Sequence, residues 1–194
     1  MTLQLTKKHS FDLVFDSQNI YRLILNAMSN PGEVVSILKY ADKLYGDFPA
    51  FLSVAMTLLD NEVCFHVCGS DSLTDEISSL THAHPDEIEA ADFIFVCDIY
   101  HLEFAIKNSK SGTLTDPHKS ALIIIQNDSE RSLHTTLSGP GIDLQSEHLL
   151  TVTAKDAIMI RDSLNHECPQ GIDFLFISSL GEMFAIPRLV KVVE

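Results

Sequence analysis

The sequence holds 4 cysteines and 9 histidines, and these give it its first chemical possibilities. Cys64, His66 and Cys68 alternate, so in an extended strand all three point from one face. A strand rises about 3.3 Å per residue, which sets Cys64 and Cys68 roughly 13 Å apart. Both thiols cannot then reach one zinc at about 2.3 Å. Two of the three at most could share a metal, with His82 or His84 arriving from elsewhere. The plainer reading is two core thiols and a partly buried histidine, with no metal expected. His166 stands two residues before Cys168, but no cysteine lies in a protease-like context and no Gly-x-Ser-x-Gly elbow is present.

Two loops carry the remaining candidates. Asp116-Pro117-His118-Lys119 sets a base, an acid and a cation at the mouth of a strand, although Asp-Pro is also ordinary turn chemistry. In Ser138-Gly139-Pro140-Gly141 the glycines flank a proline, which lacks the N–H that a phosphate cradle needs. A tight turn is expected there, or a close backbone contact with a partner or ligand at Gly139 and Gly141. Neither Gly-x-Gly-x-x-Gly nor Gly-x-x-x-x-Gly-Lys-Ser/Thr occurs. Lys119 and Lys155 are the lysines to consider for a Schiff base, and neither sits in a context that names a cofactor. The expectation is no catalytic residue, no metal and no cofactor.

The elements that must position these residues follow from periodicity. Ile20, Leu23, Ile24, Ala27 and Met28 recur at helical spacing after Asp16-Ser17, and Asn30-Pro31-Gly32 stops the run. Val34 to Tyr40 reads as extended. Phe48 to Leu59 reads as a helix with Pro49 in its first turn. Glu62 to Val67 is expected as a strand, Ser72 to Thr81 as a helix and His101 to Lys107 as a short helix. Asp92 to Cys97 and Ala121 to Ile125 are continuous apolar runs, suited to strands covered on both faces.

Arg131 to Leu137 reads as a strand, and Thr153 to Asp156 has capping-box-like spacing opening a helix to about Asn165. Asp173 to Ser178 and Glu182 to Ile186 read as a hairpin, with Leu189 to Val193 as a last strand. The acidic clusters Asp71 to Glu76 and Asp86 to Glu89 read as solvated faces. The sum is an α/β fold with a mixed sheet covered by helices, in one domain over 1–194.

Composition bounds the partners. Lys plus Arg number 13 against 27 Asp plus Glu, a net charge of −14. Nucleic-acid binders replace phosphate counterions with clustered cations, and here the arginines are the dispersed Arg22, Arg131, Arg161 and Arg188. The same charge opposes an anionic membrane surface. Lys7, Lys8 and His9 near the start have no apolar core behind them, and no apolar run approaches the roughly 18–20 residues needed to span a bilayer. A cytoplasmic protein with reduced thiols is expected, binding neither nucleic acid nor membrane.

Four separated motifs complete the reading. They are Phe15-Asp16-Ser17-Gln18 with Tyr21-Arg22 and Asn26 to Gly32; Gly112-Thr113 with Pro117 and Ala121; Leu137 to Ile142; and Pro169-Gln170-Gly171-Ile172-Asp173 with Ala185-Ile186-Pro187-Arg188. In order and spacing, over nearly the whole chain, they resemble the PhnH family, a subunit of the bacterial carbon–phosphorus lyase system. Cys168 stands where that family favours Phe, and Leu189-Val190 where it favours threonines.

The resemblance implies a fold related to a reduced large domain of pyridoxal-phosphate-dependent transferases, lacking the cofactor site. It implies a homodimer that joins the other core subunits of the complex. That complex forms ribose 1-phosphonate 5-triphosphate from a nucleoside triphosphate and a phosphonate, and a structural or assembly role is expected for this chain. Two other readings stand beside it: a binding module for nucleotide or phosphonate, and a reduced pyridoxal-phosphate enzyme on Lys119 or Lys155. The binding or interface candidates are Asp16, Gln18, Arg22, Pro117, His118, Gly139, Gly141, Asp173 and Arg188. The plain alternatives are a helix-face salt bridge for Arg22 and a sheet-edge contact for Arg188.

Overall fold

A computed structural model describes residues 9–193 of the chain. Lys7 and Lys8, considered above, lie outside them. The elements in chain order are α1 (Phe15–Ser29), β1 (Val35–Ser36), α2 (Leu38–Ala41), α3 (Pro49–Leu58), β2 (Cys64–Cys68), α4 (Asp71–Thr81), β3 (His84–Pro85), β4 (Phe93–Val96), α5 (Leu102–Asn108), β5 (Leu122–Gln126), β6 (Leu133–Ser138), β7 (Ser146–Leu150), α6 (Val152–Ser163), β8 (Asp173–Ile177), β9 (Glu182–Ile186) and β10 (Lys191–Val193). Short 3-10 turns occupy Ile99–His101 and Pro117–Lys119.

A 7-stranded sheet runs in the order β1-β9-β8-β5-β4-β2-β3. Its centre is parallel, and β8–β9 and β9–β1 are antiparallel, so the sheet is mixed as expected. Helices cover both faces. Ile20 and Ile24 of α1, Phe51 and Val54 of α3 and Leu73 and Ile77 of α4 pack with Phe65, Phe95, Ile124 and Leu175 on one side. On the other, Leu102 and Ile106 of α5 and Ala154, Ala157 and Ile158 of α6 pack with Ile94, Ile123, Ile125, Phe174 and Phe176. This double cover is why β4, β5 and β8 are apolar at every position but Gln126 and Asp173, which stand at strand ends. Burying each such side chain contributes about 1.5–3 kcal/mol, so Ile124→Ala is expected to cost roughly 2–5 kcal/mol.

Several boundaries differ from the sequence reading, each for a local reason. The first helix starts at Phe15, because Asp12 Oδ1 accepts from the N–H groups of Val14 and Phe15 at 2.9 Å. Asp16 is therefore not a cap. It lies within the first turn, accepting from the Asp12 N–H at 2.8 Å. Val34 to Tyr40 is extended only over Val35–Ser36, and the chain then turns into α2, which buries Tyr40 and Ala41. The α6 cap is Thr151, whose Oγ1 accepts from Ala154 N–H at 3.1 Å, so Thr153 sits inside the helix. That helix ends at Ser163, not at Asn165.

The strand expected from Arg131 begins at Leu133 and belongs to a separate 3-stranded sheet, β10-β6-β7. Its third member, Ser146–Leu150, was not read from the sequence, which has apolar residues there only at Leu149 and Leu150. Both short edges of the large sheet end in 2-residue strands, and the β3 edge carries Pro85.

Candidate functional site

The second and fourth motifs meet at the amino ends of the parallel strands. Asp173 opens β8, paired with Leu122 of β5, which in turn pairs with Phe93 of β4. The β8–β9 hairpin sets Ile186 opposite Phe174, so the chain leaving β9 returns to the start of β8. Arg188 arrives there. Its backbone N–H donates to Asp173 Oδ1 at 2.7 Å, and its Nε donates to both carboxylate oxygens at 3.2 and 3.1 Å. Nη2 adds a contact to Asp173 Oδ2, and Nη1 donates to the Pro117 carbonyl at 2.5 Å. The two side chains are only 18% and 16% exposed, so this forked pair works in a poorly screened setting.

The loops on either side are tied together by further polar contacts. Gly171 N–H donates to Ser111 O at 3.0 Å, and Gln170 Nε2 to Gly112 O at 3.0 Å. Beneath lies Arg161, 2% exposed, its guanidinium 5.3 Å over the Phe174 ring. It donates to the carbonyls of Pro187 at 3.1 Å and Val190 at 2.5 Å, and through Nε to Asp162 at 3.1 Å. Burial lowers the Arg161 pKa, and the Asp162 carboxylate opposes that effect. Arg161 therefore fixes the segment that carries Arg188.

A depression of about 350 Å³ opens in front of the pair, lined in part by Asp92, His118, Ser120, Asp173 and Arg188. His118 is exposed at its rim. Asp92 is bound by Lys110 Nζ at 2.5 Å and by Cys64 N–H at 3.0 Å. Burial raises its pKa, but these donors outweigh burial and hold the carboxyl below its ordinary value.

Gly139 and Gly141 serve close approach of backbones. Both have positive φ, +139° and +85°. A Cβ on Gly139 would stand 2.7 Å from Leu189 O, and one on Gly141 would stand 2.6 Å from Ser29 O. The third motif thus locks onto the end of α1 and onto the strap that follows Arg188.

The first motif divides. Asp16 faces inward, its oxygens 2.7 and 2.8 Å from Lys43 Nζ. Gln18 and Arg22, one turn apart on α1, are exposed. Among the described residues Arg22 makes no salt bridge, so the expected helix-face pair is absent. Arg188 lies against a carboxylate beside the sheet, a stronger contact than the edge contact expected. The structure brings Pro117, His118, Asp173 and Arg188 together, and leaves Asp16, Gln18 and Arg22 outside that group.

The thiols and lysines add little chemistry. Burial, with Asp98 nearby, pushes Cys97 up to about 12 and Cys68 up to about 11, so both are thiols at neutral pH. Burial and then Asp86 and Asp92 raise Cys64 as well, while Cys168 is exposed. Among the described residues no group of three or more His, Cys, Asp or Glu is placed to hold a metal. Lys119 is surface-exposed and paired with Asp116 at 3.2 Å, and Lys155 is exposed on α6.

Sequence reasoning missed Arg161, Asp92 and Lys110. For Arg161 a signal existed: Ala154, Ala157, Ile158 and Arg161 share one helical face, which sets an arginine in an apolar stripe. No sequence signal pairs Asp92 with Lys110, since a strand start and a loop meet only in three dimensions.

Among the described residues no helix is long and apolar enough to cross a membrane. A mixed, mostly parallel sheet between helices, with its motif residues engaged in loop-to-loop contacts, defines an α/β protein whose marked residues organise the fold. The family model described as bacterial phosphonate metabolism protein (PhnH) matches residues 9–193. The chain belongs to the PhnH family, which implies a role in bacterial phosphonate metabolism. No curated protein sequence matches significantly.

Proposed function

We propose that the chain is a non-catalytic assembly subunit of the bacterial carbon–phosphorus lyase core complex. In that complex it is needed for forming ribose 1-phosphonate 5-triphosphate from a nucleoside triphosphate and a phosphonate. The observation that carries the reading is the outward face of α1. There Phe15, 68% exposed, stands with Tyr21, Gln18 and Arg22, all residues of one family motif. Arg22 has no partner of its own among the described residues, which leaves its charge for another surface. The Asp173–Arg188 pair supports the same reading from the other side. Its donors and acceptors satisfy one another and the Pro117 carbonyl, as a structural brace requires.

Related features complete the proposal. The chain acts as one domain in the cytoplasm and forms a homodimer when isolated from its partner subunits. Its helix-covered mixed sheet is compatible with a reduced large domain of the pyridoxal-phosphate transferases. The test is co-expression with the other core subunits, one of them tagged, followed by purification at several salt concentrations. Co-purification of this chain is expected, weakened by Arg22→Glu. Isolation of the chain alone under all conditions would falsify the assembly role.

A further inference from the structure

We infer that an outward seam of α1 seats one amphipathic helix of a partner subunit, whose carboxylate pairs with Arg22. This rests on the assembly reading above and names the chemistry of the partner at that surface.

Val14, Gln18, Tyr21, Leu25 and Met28 follow one another in alternating steps of four and three residues. On a helix that spacing draws a single stripe, the pattern by which one helix receives another. The core face is a different set, Ile20, Ile24 and Ala27 with Asp16. The fold of this chain covers that second set and leaves the first in the open. Val14 is 70% exposed, and Tyr21 and Leu25 are each 48% exposed. Apolar residues scattered singly over a surface need no explanation, but a row in register does.

The seam continues beyond the end of the helix. Met28 also lines the depression of about 350 Å³ in front of the Asp173–Arg188 pair, beside the half-buried Val63, Phe93 and Leu122. A helix laid along α1 therefore ends over a partly apolar recess, which takes a side chain from its last turn.

Charge identifies the occupant. The chain carries 27 acidic residues, yet none of them is exposed on α1. Asp16 is buried against Lys43 at 2.7 Å, and the other charged residue of the helix is Arg22. Arg22 stands beside the seam, one turn from both Gln18 and Leu25, and makes no salt bridge among the described residues. A surface with Tyr, Leu and Arg but without Lys, Glu or Asp has the composition of an interface centre. A second copy does not suit it. Two-fold symmetry would set this face against itself, offering Arg22 no carboxylate, between two chains of net charge −14. The occupant is thus a different chain, with apolar residues at the same three-and-four spacing and an Asp or Glu beside them. Gln18 interrupts the apolar row, and a polar residue in a seam fixes register by meeting an amide or hydroxyl across it.

The experiment uses the full chain co-expressed with the other core subunits, with the photoreactive p-benzoylphenylalanine in place of the exposed Phe15. The adduct is expected in a helix of a partner subunit that holds an Asp or Glu within one turn of the attachment point. Leu25→Glu is expected to reduce co-purified partner about tenfold or more at an unchanged melting temperature. Tyr21→Lys, on the same seam, decides the matter should Leu25→Glu fail to fold. Reversing the partner carboxylate to lysine is expected to cause a similar loss, and combining that change with Arg22→Glu to restore most of it. An adduct to a second copy of this chain, to a strand or to a loop overturns the proposal. So does a charge swap that restores nothing, or a folded seam variant that co-purifies like the wild type. Failure of the wild-type chain to co-purify removes the assembly reading and this inference together, whereas insensitivity of the seam removes this inference alone.

Discussion

The guanidinium of Arg161 holds the carbonyl of Val190, 29 residues further along the chain, at 2.5 Å. A buried cation on α6 thereby fixes the strap between β9 and β10, and with it the position of Arg188. The charge resides inside the fold because it bridges two carbonyls, lies against Phe174 and keeps Asp162 beside it.

Replacing this residue tests that dependence. Arg161→Leu fills much of the space but leaves the Val190 carbonyl without this donor, at a cost of about 1–3 kcal/mol, while the Pro187 carbonyl keeps the Val190 N–H at 3.0 Å. Urea denaturation is expected to show a loss in that range or above it. Amide exchange across residues 187–193 is expected to quicken more than exchange in the central strands, and equal quickening throughout would refute a local clamp.

The Asp173–Arg188 pair lends itself to a double-mutant cycle. Asp173→Asn and Arg188→Ala are each expected to destabilise, and the double variant to lose less than their sum. The coupling is expected at roughly 1–3 kcal/mol. Arg188→Lys keeps the charge but cannot fork across the carboxylate and reach the Pro117 carbonyl, so it is expected to recover less than half of the loss.

Stability at low pH follows from Asp16. Burial raises its pKa, but the Lys43 contact and the Asp12 N–H outweigh burial and hold it below the ordinary 3.8. A carboxyl depressed in the folded state stabilises above its unfolded value, and that contribution is lost as pH falls below 3.8 towards the folded value. Asp16→Asn is therefore expected to lower the urea midpoint near neutral pH and to flatten its decline below about pH 4. An equally steep acid decline in the variant would assign the effect to other carboxylates, such as Asp92 and Asp128, which are also held low.

Gly141→Ala puts a methyl group 2.6 Å from Ser29 O at a φ of +85°. A loss of about 1–3 kcal/mol is expected in thermal or urea unfolding. Pro140→Ala, next to it but exposed, is expected to stay within about 0.5 kcal/mol.

The strongly periodic parts of the fold were legible in the chain. Ile20 and Ile24 mark α1, Leu73 and Ile77 mark α4, and the apolar run Ala121 to Ile125 suits a strand covered twice, which the structure places at Leu122–Gln126. Of the small sheet, β6 and β10 were legible as strands, but their separate sheet and its third strand were not. β7 has no apolar alternation of its own, and it exists because Leu133 to Leu137 offers a partner in register from Leu150 to Ser146. Of the site, the motifs pointed to Asp173, Arg188 and Pro117 separately, and only the β8–β9 hairpin shows that they touch.

The ends of the large sheet govern how copies and partners can meet. Its outermost strands are 2 residues long, and one of them holds Pro85, which cannot donate to a neighbouring backbone. Growth of this sheet by strand addition is blocked at both margins. Association through it must therefore be written in side chains on helices and loops, where single substitutions can retune affinity and where specificity evolves without the hazard of open-ended fibre formation.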